Sequence, residues 1–261
     1  MKFDLTDQVA VVTGGTRGIG RAIVEAFIEA GASVVLSGRS EEKGKRALSE
    51  IGAGDRAHFV AGDASHKQDV ERLVDETVDR YGRIDILVNN AGGNPGHGLV
   101  EVMTDQVWLE TFDLNLHSDF YATRRALKYM VAQQHGRIIH ISSVESKQAN
   151  KAAVSNYIVT KAAMNAFSKA VAFEYGPVGI TSNAICPGAI ETDIMKESGP
   201  KAAATMGITY EEFLQQYADD TMMKRLNTVE EVAGLALLLA SAHGGGITGA
   251  TMSVDGGASS Y

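Results

Sequence analysis

The chain has 261 residues, 44% of them hydrophobic and 21% charged, with a formal net charge of −8. That balance suits a globular protein with a sizeable core, while the acidic charge and the lack of any basic run exclude nucleic acid and anionic membrane as main partners. Cys186, the single cysteine, excludes an intrachain disulfide and reads as a small buried residue; Met1–Asp7 holds no apolar segment that could act as a secretory signal, and the longest apolar run, Val232 to Ala240, is too short to cross a membrane, so a cytoplasmic protein is expected.

The first predicted element is a strand over Gln8–Thr13, followed by the turn Thr13-Gly14-Gly15-Thr16-Arg17-Gly18-Ile19-Gly20 and a helix over Ile19–Ala30. Glycines at such a turn let the backbone bend and approach a pyrophosphate, and the helix N-terminus offers it unpaired N–H groups. The spacing Gly14-xxx-Gly18-x-Gly20 departs from the usual Gly-x-Gly-x-x-Gly dinucleotide pattern. A second strand, Ser33–Ser37, ends in Ser37-Gly38-Arg39, where an NAD site carries an acid about twenty positions after the turn to grip the ribose 2′-hydroxyl. No acid stands there. Arg39, with a planar fork suited to phosphate, and Arg17 inside the turn favour NADP(H); NAD(H) stays open if Arg39 only stacks on adenine and Arg17 is solvated.

Helix Glu41–Glu50, strand His58–Ala61, helix Gln68–Tyr81 and strand Ile84–Asn89 continue the alternation, and a long helical connection, Asp105–Gln134, is expected to bend or break near Asn115. Strand Arg137–Ser142 puts Ile139, Ile141 and Ser143 on one face, with Ser143 at its end. Helix Ser155–Tyr175 carries Tyr157 and Lys161 on one face. A free tyrosine titrates near pH 10, so proton exchange near neutrality needs a shift of roughly three units, about 4 kcal/mol, which the neighbouring ammonium is expected to supply.

After strand Thr181–Ala184, two helices around Lys196–Met206 and Glu211–Met223 fill residues 190–226, where a minimal doubly wound fold needs only a short connection. Met195, Met206, Met222 and Met223 give this insertion adaptable apolar side chains, unless they are plain core. Helix Val229–Ala240 and strand Thr251–Val254 complete the chain, with capping-box signals at Thr209-Tyr210-Glu211-Glu212 and Thr228-Val229-Glu230-Glu231. The fold class is α/β, a Rossmann-type doubly wound parallel sheet of about seven strands with helices on both faces, in one domain over residues 1–261.

Five signatures stand in order: the glycine turn, Asn89-Asn90-Ala91-Gly92 after a strand, Asn115, Ser143 before Tyr157 and Lys161, and Pro187-Gly188 with Thr192 beyond. In them the chain resembles the short-chain dehydrogenase/reductase family, in its compact one-domain branch, and within it the 3-oxoacyl reductases. The resemblance implies NADP(H)-dependent exchange of hydride between a ketone and a secondary alcohol, with Tyr157 as general acid and base. It implies that Ser143 positions the carbonyl, that Lys161 also holds the nicotinamide ribose, and that Asn115 holds a water linking Lys161 to solvent. Gly14, Thr16, Arg17, Gly18, Ile19, Gly20 and Arg39 would hold the phosphates. Asp63, with Ala64 beside it, would bind the adenine amino group unless Asp63 is a turn cap. Asn90, Ala91 and Gly92 would lie along the adenosine ribose, and Pro187, Gly188, Ile190 and Thr192 would hold the nicotinamide carboxamide. No metal is implied.

By the same resemblance residues 190–226 form a substrate lid, and the chain forms a homotetramer through the helices after its fourth and fifth strands and through its C-terminal strand and tail. Small and apolar Ala162, Ala163, Ala166, Phe167 and Ala170 suit such packing. Ser143 stands fourteen positions before Tyr157, one more than is usual in the family, so Val144–Val154 carries an extra residue. Gly93–Gly98, Glu145–Ala153 and the lid are expected to line the substrate pocket, where Lys147, Lys151 or His97 either meet an anion or are solvated. The substrate is a small carbonyl compound or alcohol: 3-oxoacyl thioesters, hydroxy acids, polyols and small cyclic ketones all remain open. The alternatives are an NAD-dependent hydroxy acid or polyol dehydrogenase and, in another class, a catalytically silent nucleotide-sensing regulator. A sugar-nucleotide epimerase or dehydratase would carry a longer chain and a Gly-x-x-Gly-x-x-Gly turn.

Overall fold

The structure is a computed structural model describing residues 3–149 and 151–259; one residue of the loop after Ser143 and the last two of the C-terminal tail lie outside the described residues. Seven strands, β1 (Val9–Val12), β2 (Ser33–Gly38), β3 (Ala57–Ala61), β4 (Ile86–Asn89), β5 (Gly136–Ile141), β6 (Ile180–Pro187) and β7 (Thr251–Val254), form one sheet. All neighbours are parallel, in the order β3-β2-β1-β4-β5-β6-β7. The chain starts mid-sheet, winds outward to β3, then returns across β1 to β4 and winds the other way. The reversal opens a crevice at the carboxyl ends of β1 and β4, where such folds bind ligands.

Side-chain alternation divides each strand between two cores. Ala10, Val12, Ile86, Val88, Ile139 and Ile141 pack with α1 (Gly18–Glu29) and α9 (Val229–Ala240). Val11, Leu87 and Ile138 pack on the other face with α3 (Lys67–Tyr81), α5 (Ser118–Gln133) and α6 (Ser155–Tyr175). Both faces being covered, the strands read as continuous apolar runs, and each fully buried branched side chain contributes about 1.5–3 kcal/mol. Thr209 and Thr228 each accept a hydrogen bond from a backbone N–H while Glu212 and Glu231 reach back, so both expected capping boxes form, starting α8 (Tyr210–Asp219) and α9.

The long connection breaks where expected: α4 (Asp105–Phe112) passes through a π-helical turn, Asp113–His117, into α5, and Asn115 lies in that turn. α7 (Asp193–Met206) starts at Asp193 rather than near Lys196, because Thr192 takes the N-cap backbone conformation and Asp193 places an acid in the first turn. α8 stops at Asp219, leaving Met222 and Met223 in a turn; these two and Met206 are exposed and do not serve as core. β6 runs past Ala184 to Pro187 and is buried throughout, so the Cys186-Pro187-Gly188 breaker ends the strand later than its local signal suggests. Cys186 is buried on it. Among the described residues no helix is long and apolar enough to cross a membrane.

Candidate active site

The glycine turn after β1 is fixed by close approach. Gly14 and Gly18 have φ of +66° and +55°, and a Cβ on Gly20 would stand 2.4 Å from both Asn90 Nδ2 and the Gly14 carbonyl oxygen. The turn is held from two sides. Gly15 N–H donates to the Ser37 carbonyl at 3.0 Å, and Asn90 Nδ2 donates to the carbonyls of Thr13 and Gly14 at 2.9 and 3.1 Å. The side chain of Asn90 therefore braces the turn, and only its backbone and Ala91, both tied to Thr13 Oγ1 at 2.9 Å, border the crevice. α1 starts at Gly18 with no side-chain cap and no acid in its first turn, and Gly18 faces Thr192 at the start of α7.

A cleft beside the turn is lined by Thr16, Arg17, Lys43, Arg46, Lys196 and Glu197 among others, and a narrower slot joins Thr13 and Ser37 to Asp63 and Ala64. Arg39 is exposed at the end of β2. Burial pushes the Asp63 carboxyl up, but hydrogen bonds from Ser65 N and Oγ, aided by the Arg39 and His66 charges, hold it below its ordinary value. Asp63 thus caps its own turn through Oδ1 alone, and among the described residues no hydrogen bond is made to its Oδ2. Arg17 is paired with Glu197 of α7 at 3.0 Å, an acid that the local sequence around the turn could not announce. Lys43, Arg46 and Lys196 add positive charge that sequence reading missed, since they come from α2 (Glu41–Ile51) and α7. A glycine cradle, a free helix start and a rim where Arg17, Lys43, Arg46 and Lys196 stand among Glu50, Asp193 and Glu197, with no acid on β2, fit an NADP(H) molecule.

Across the crevice, the ends of β4 and β5 meet α6. The Ser143 hydroxyl, which accepts from Glu145 N–H at 3.2 Å, lies near enough to Tyr157 to act on the phenol, and Lys161 Nζ stands 5.7 Å from the Tyr157 ring centroid. Lys161 is buried, donates from Nζ to the Ile141 carbonyl at 2.8 Å, and approaches Gly92, where an added Cβ would lie 3.1 Å from Nζ and 2.7 Å from Asn115 Oδ1. Burial pushes the Lys161 ammonium down to about 8, against the opposing pull of Asp119 and Cys186. The phenol does not follow the expectation of a depressed pKa. Burial pushes Tyr157 up, the Ser143 hydrogen bond opposes this, and the Glu145 and Cys186 charges push it further up. Burial is the largest cause, and the Lys161 head group is meanwhile held at the Ile141 carbonyl.

Asn115 Oδ1 accepts from Gly93 N–H at 3.0 Å and its Nδ2 donates to the carbonyls of Gly93 and Thr111, so the side chain pins the Gly92–Gly93 loop. The loop is braced again by Asn156, whose Nδ2 donates to Asn94 Oδ1 at 2.9 Å and Thr111 Oγ1 at 2.8 Å. Behind Lys161, buried Asp119 accepts from Asn89 Nδ2 at 2.6 Å and meets His140 Nδ1 at 2.8 Å, while His140 Nε2 contacts Ser182 Oγ at 3.0 Å. Pro187 ends β6, Gly188 N–H donates to Val254 O at 3.0 Å, and Ile190 bridges to Asn227, carrying the chain from the sheet to Thr192. Lys147 donates to Ser253 Oγ at 2.9 Å and Lys151 pairs with Glu145 at 3.1 Å, so both lysines are engaged within the chain; His97 is exposed.

The family model for short chain dehydrogenase matches residues 8–203. The 3beta-hydroxysteroid dehydrogenase 2 of Eggerthella lenta is 38% identical over 98% of this chain and 96% of its own. The 3-oxoacyl-[acyl-carrier-protein] reductase of Aquifex aeolicus is 36% identical, over 98% and 99%. The L-sorbose reductase of Gluconobacter frateurii, solved in complex with NADPH and L-sorbose, superposes with a TM-score of 0.94 at 31% identity, covering 100% of both chains.

Proposed function

The chain belongs to the short-chain dehydrogenase family, and on that footing we propose that it is an NADP(H)-dependent oxidoreductase interconverting a ketone and a secondary alcohol. The observation that carries this reading is the grouping of Ser143, Tyr157 and buried Lys161, set across the crevice from the glycine turn. Relatives named as a 3-oxoacyl reductase and a hydroxysteroid dehydrogenase, and a neighbour solved with NADPH, support it.

Gly14, Thr16, Arg17, Gly18, Ile19 and Gly20 would hold the pyrophosphate, with Arg39 and Arg17 at the 2′-phosphate, Asp63 and Ala64 at the adenine, Asn90, Ala91 and Gly92 along the adenosine ribose, and Pro187, Gly188, Ile190 and Thr192 at the nicotinamide. Bound NADPH supplies the hydride that the carbonyl carbon receives. As that carbon is reduced its oxygen gathers negative charge, and Tyr157 gives it the phenolic proton while Ser143 donates a second hydrogen bond. Lys161, charged below about pH 8, stabilises the phenolate left behind. Asn115 and Asn156 keep the Gly92–Gly98 loop in place beside this pair. Residues 190–226 act as the lid, and Arg17 exchanges Glu197 for phosphate when the cofactor enters.

The assembly we propose is a homotetramer packed through α5 and α6, whose Phe120, Val159 and Phe173 are exposed apolar side chains, with Ala166 and Ala170 also at the surface. Light scattering of a monomer at micromolar concentration would refute it. The activity is tested by following NADPH consumption with a panel of 3-oxoacyl thioesters, hydroxyketones, keto sugars and cyclic ketones, and NADP+ reduction with their alcohols. Tight NADPH binding without turnover of any member would favour the regulator instead.

A further inference from the structure

The loop after β5 carries a charge that the hydride exchange leaves unused. Glu145 lies two residues beyond Ser143 in the tight turn Val144–Ser146 and is 5% exposed. One carboxylate oxygen is ion-paired with Lys151 Nζ at 3.1 Å, yet among the described residues neither oxygen accepts a well-aligned hydrogen bond. A carboxylate offers about four acceptor sites, and burial of an ion with those sites empty is unfavourable unless something fills them. The position of the charge says what should. It lies close enough to the Tyr157 phenol to act on it electrostatically, and its partner Lys151 sits 4.5 Å over the ring of Tyr217 on α8, in the insertion above the crevice. Glu145, whose backbone N–H donates to Ser143 Oγ at 3.2 Å, is therefore placed between the Ser143–Tyr157 pair and the insertion.

We propose that Glu145 is a specificity-determining residue whose buried carboxylate oxygen, the one not paired with Lys151, accepts a hydrogen bond from a hydroxyl on the carbon next to the reacting carbonyl, so that the substrates are hydroxyketones and the corresponding vicinal diols. The proposal rests on the oxidoreductase reading above. A ketone with only apolar substituents leaves the buried acceptor unfilled, and one with a carboxylate at that carbon meets like charge. A hydrogen bond to a charged group corresponds to about tenfold to a hundredfold in kcat/KM.

Two ketones of equal size test this: 1-hydroxy-2-butanone and 3-pentanone, each reduced with NADPH by the full chain. The wild type should favour the hydroxyketone by at least about tenfold in kcat/KM. Glu145→Leu should bring the two substrates close to parity, chiefly by loss on the hydroxyketone. Glu145→Gln, which keeps the shape and an acceptor without the charge, should lose part of the preference. Lys151→Met breaks the same ion pair but spares the carboxylate, and it should keep the preference. Equal use of both ketones by the wild type, or an equal loss on both in Glu145→Gln and Glu145→Leu, overturns the proposal and leaves Glu145 a structural partner of Lys151. Turnover confined to 3-oxoacyl thioesters overturns it too, with the oxidoreductase reading intact. No turnover of any carbonyl in the wider panel refutes the oxidoreductase reading itself.

Discussion

Lys161 lowers the stability of the fold in which it works, and the size of that effect follows from its surroundings. Burial brings its pKa from 10.5 down to about 8, a difference of about 2.5 units, or roughly 3 kcal/mol at 1.36 kcal/mol per unit. Between about pH 8 and 10.5 the native chain has released this proton while the unfolded chain keeps it. The unfolded state then binds more protons, so stability rises with pH across that window, and the penalty is fully present below it. Lys161→Met removes the titrating group and also the hydrogen bond to the Ile141 carbonyl, whose loss costs about 1–3 kcal/mol. At neutral pH the two changes offset, leaving the variant from equal to about 2 kcal/mol more stable. On raising the pH to about 10.5 the variant should lose roughly 3 kcal/mol relative to wild type, because only the wild type gains. Urea unfolding of both proteins at a series of pH values reads this difference, and groups common to both cancel. Parallel pH profiles, agreeing within about 0.5 kcal/mol from pH 7 to 10.5, would refute the burial argument.

Tyr157→Phe should remove at least about a thousandfold of kcat while leaving NADPH affinity within a few-fold, since the ring stays and only the proton donor goes; a variant keeping a tenth of the activity would sink that assignment. Arg39→Ala should weaken NADPH binding by about tenfold to a hundredfold and spare NADH, the scale of one charge-assisted contact, and an equal effect on both in calorimetry would give Arg39 a stacking role. Glu197→Gln releases Arg17 from its exposed ion pair and should tighten NADPH binding a few-fold at low salt, an advantage that vanishes as salt is raised. Ala153, at φ +63° in the loop before Tyr157, holds a conformation that disfavours a side chain, so Ala153→Gly should raise unfolding stability by up to about 1 kcal/mol.

The fold was legible because its signals are local. Val9-Ala10-Val11-Val12 declares a doubly covered strand, Thr228 and Glu231 a helix start, and the alternation of strands and helices a parallel sheet; each forms as the residues suggest. The errors fall where a second signal competes. Pro187 and Gly188 look like a breaker, yet β6 is buried between β5 and β7 and pairing carries it to Pro187. Pro200 lies inside α7, where its missing N–H weakens the helical pattern, so the start at Asp193 rests on a single acid in the first turn.

The site was legible in its members but not in their duties. Tyr157 and Lys161 share a helix face by spacing alone, whereas the direction of the Lys161 head group depends on the Ile141 carbonyl of β5, twenty positions away and brought near only by folding. Asn115 shows the same limit. A π turn rotates it inward, and its amide is then taken by Gly93 and Thr111. Glu197 is the clearest case: two arginines with no nearby acid read as a free phosphate site, and the acid arrives from α7, 180 positions beyond Arg17. Charge that converges from distant elements is invisible to spacing, and it sets how firmly a site holds its ligand. The Arg17–Glu197 pair is one link between the glycine turn and α7, beside the contact of Gly18 with Thr192, so a phosphate that displaces Glu197 would exchange one anion for another at Arg17 and leave the second contact in place.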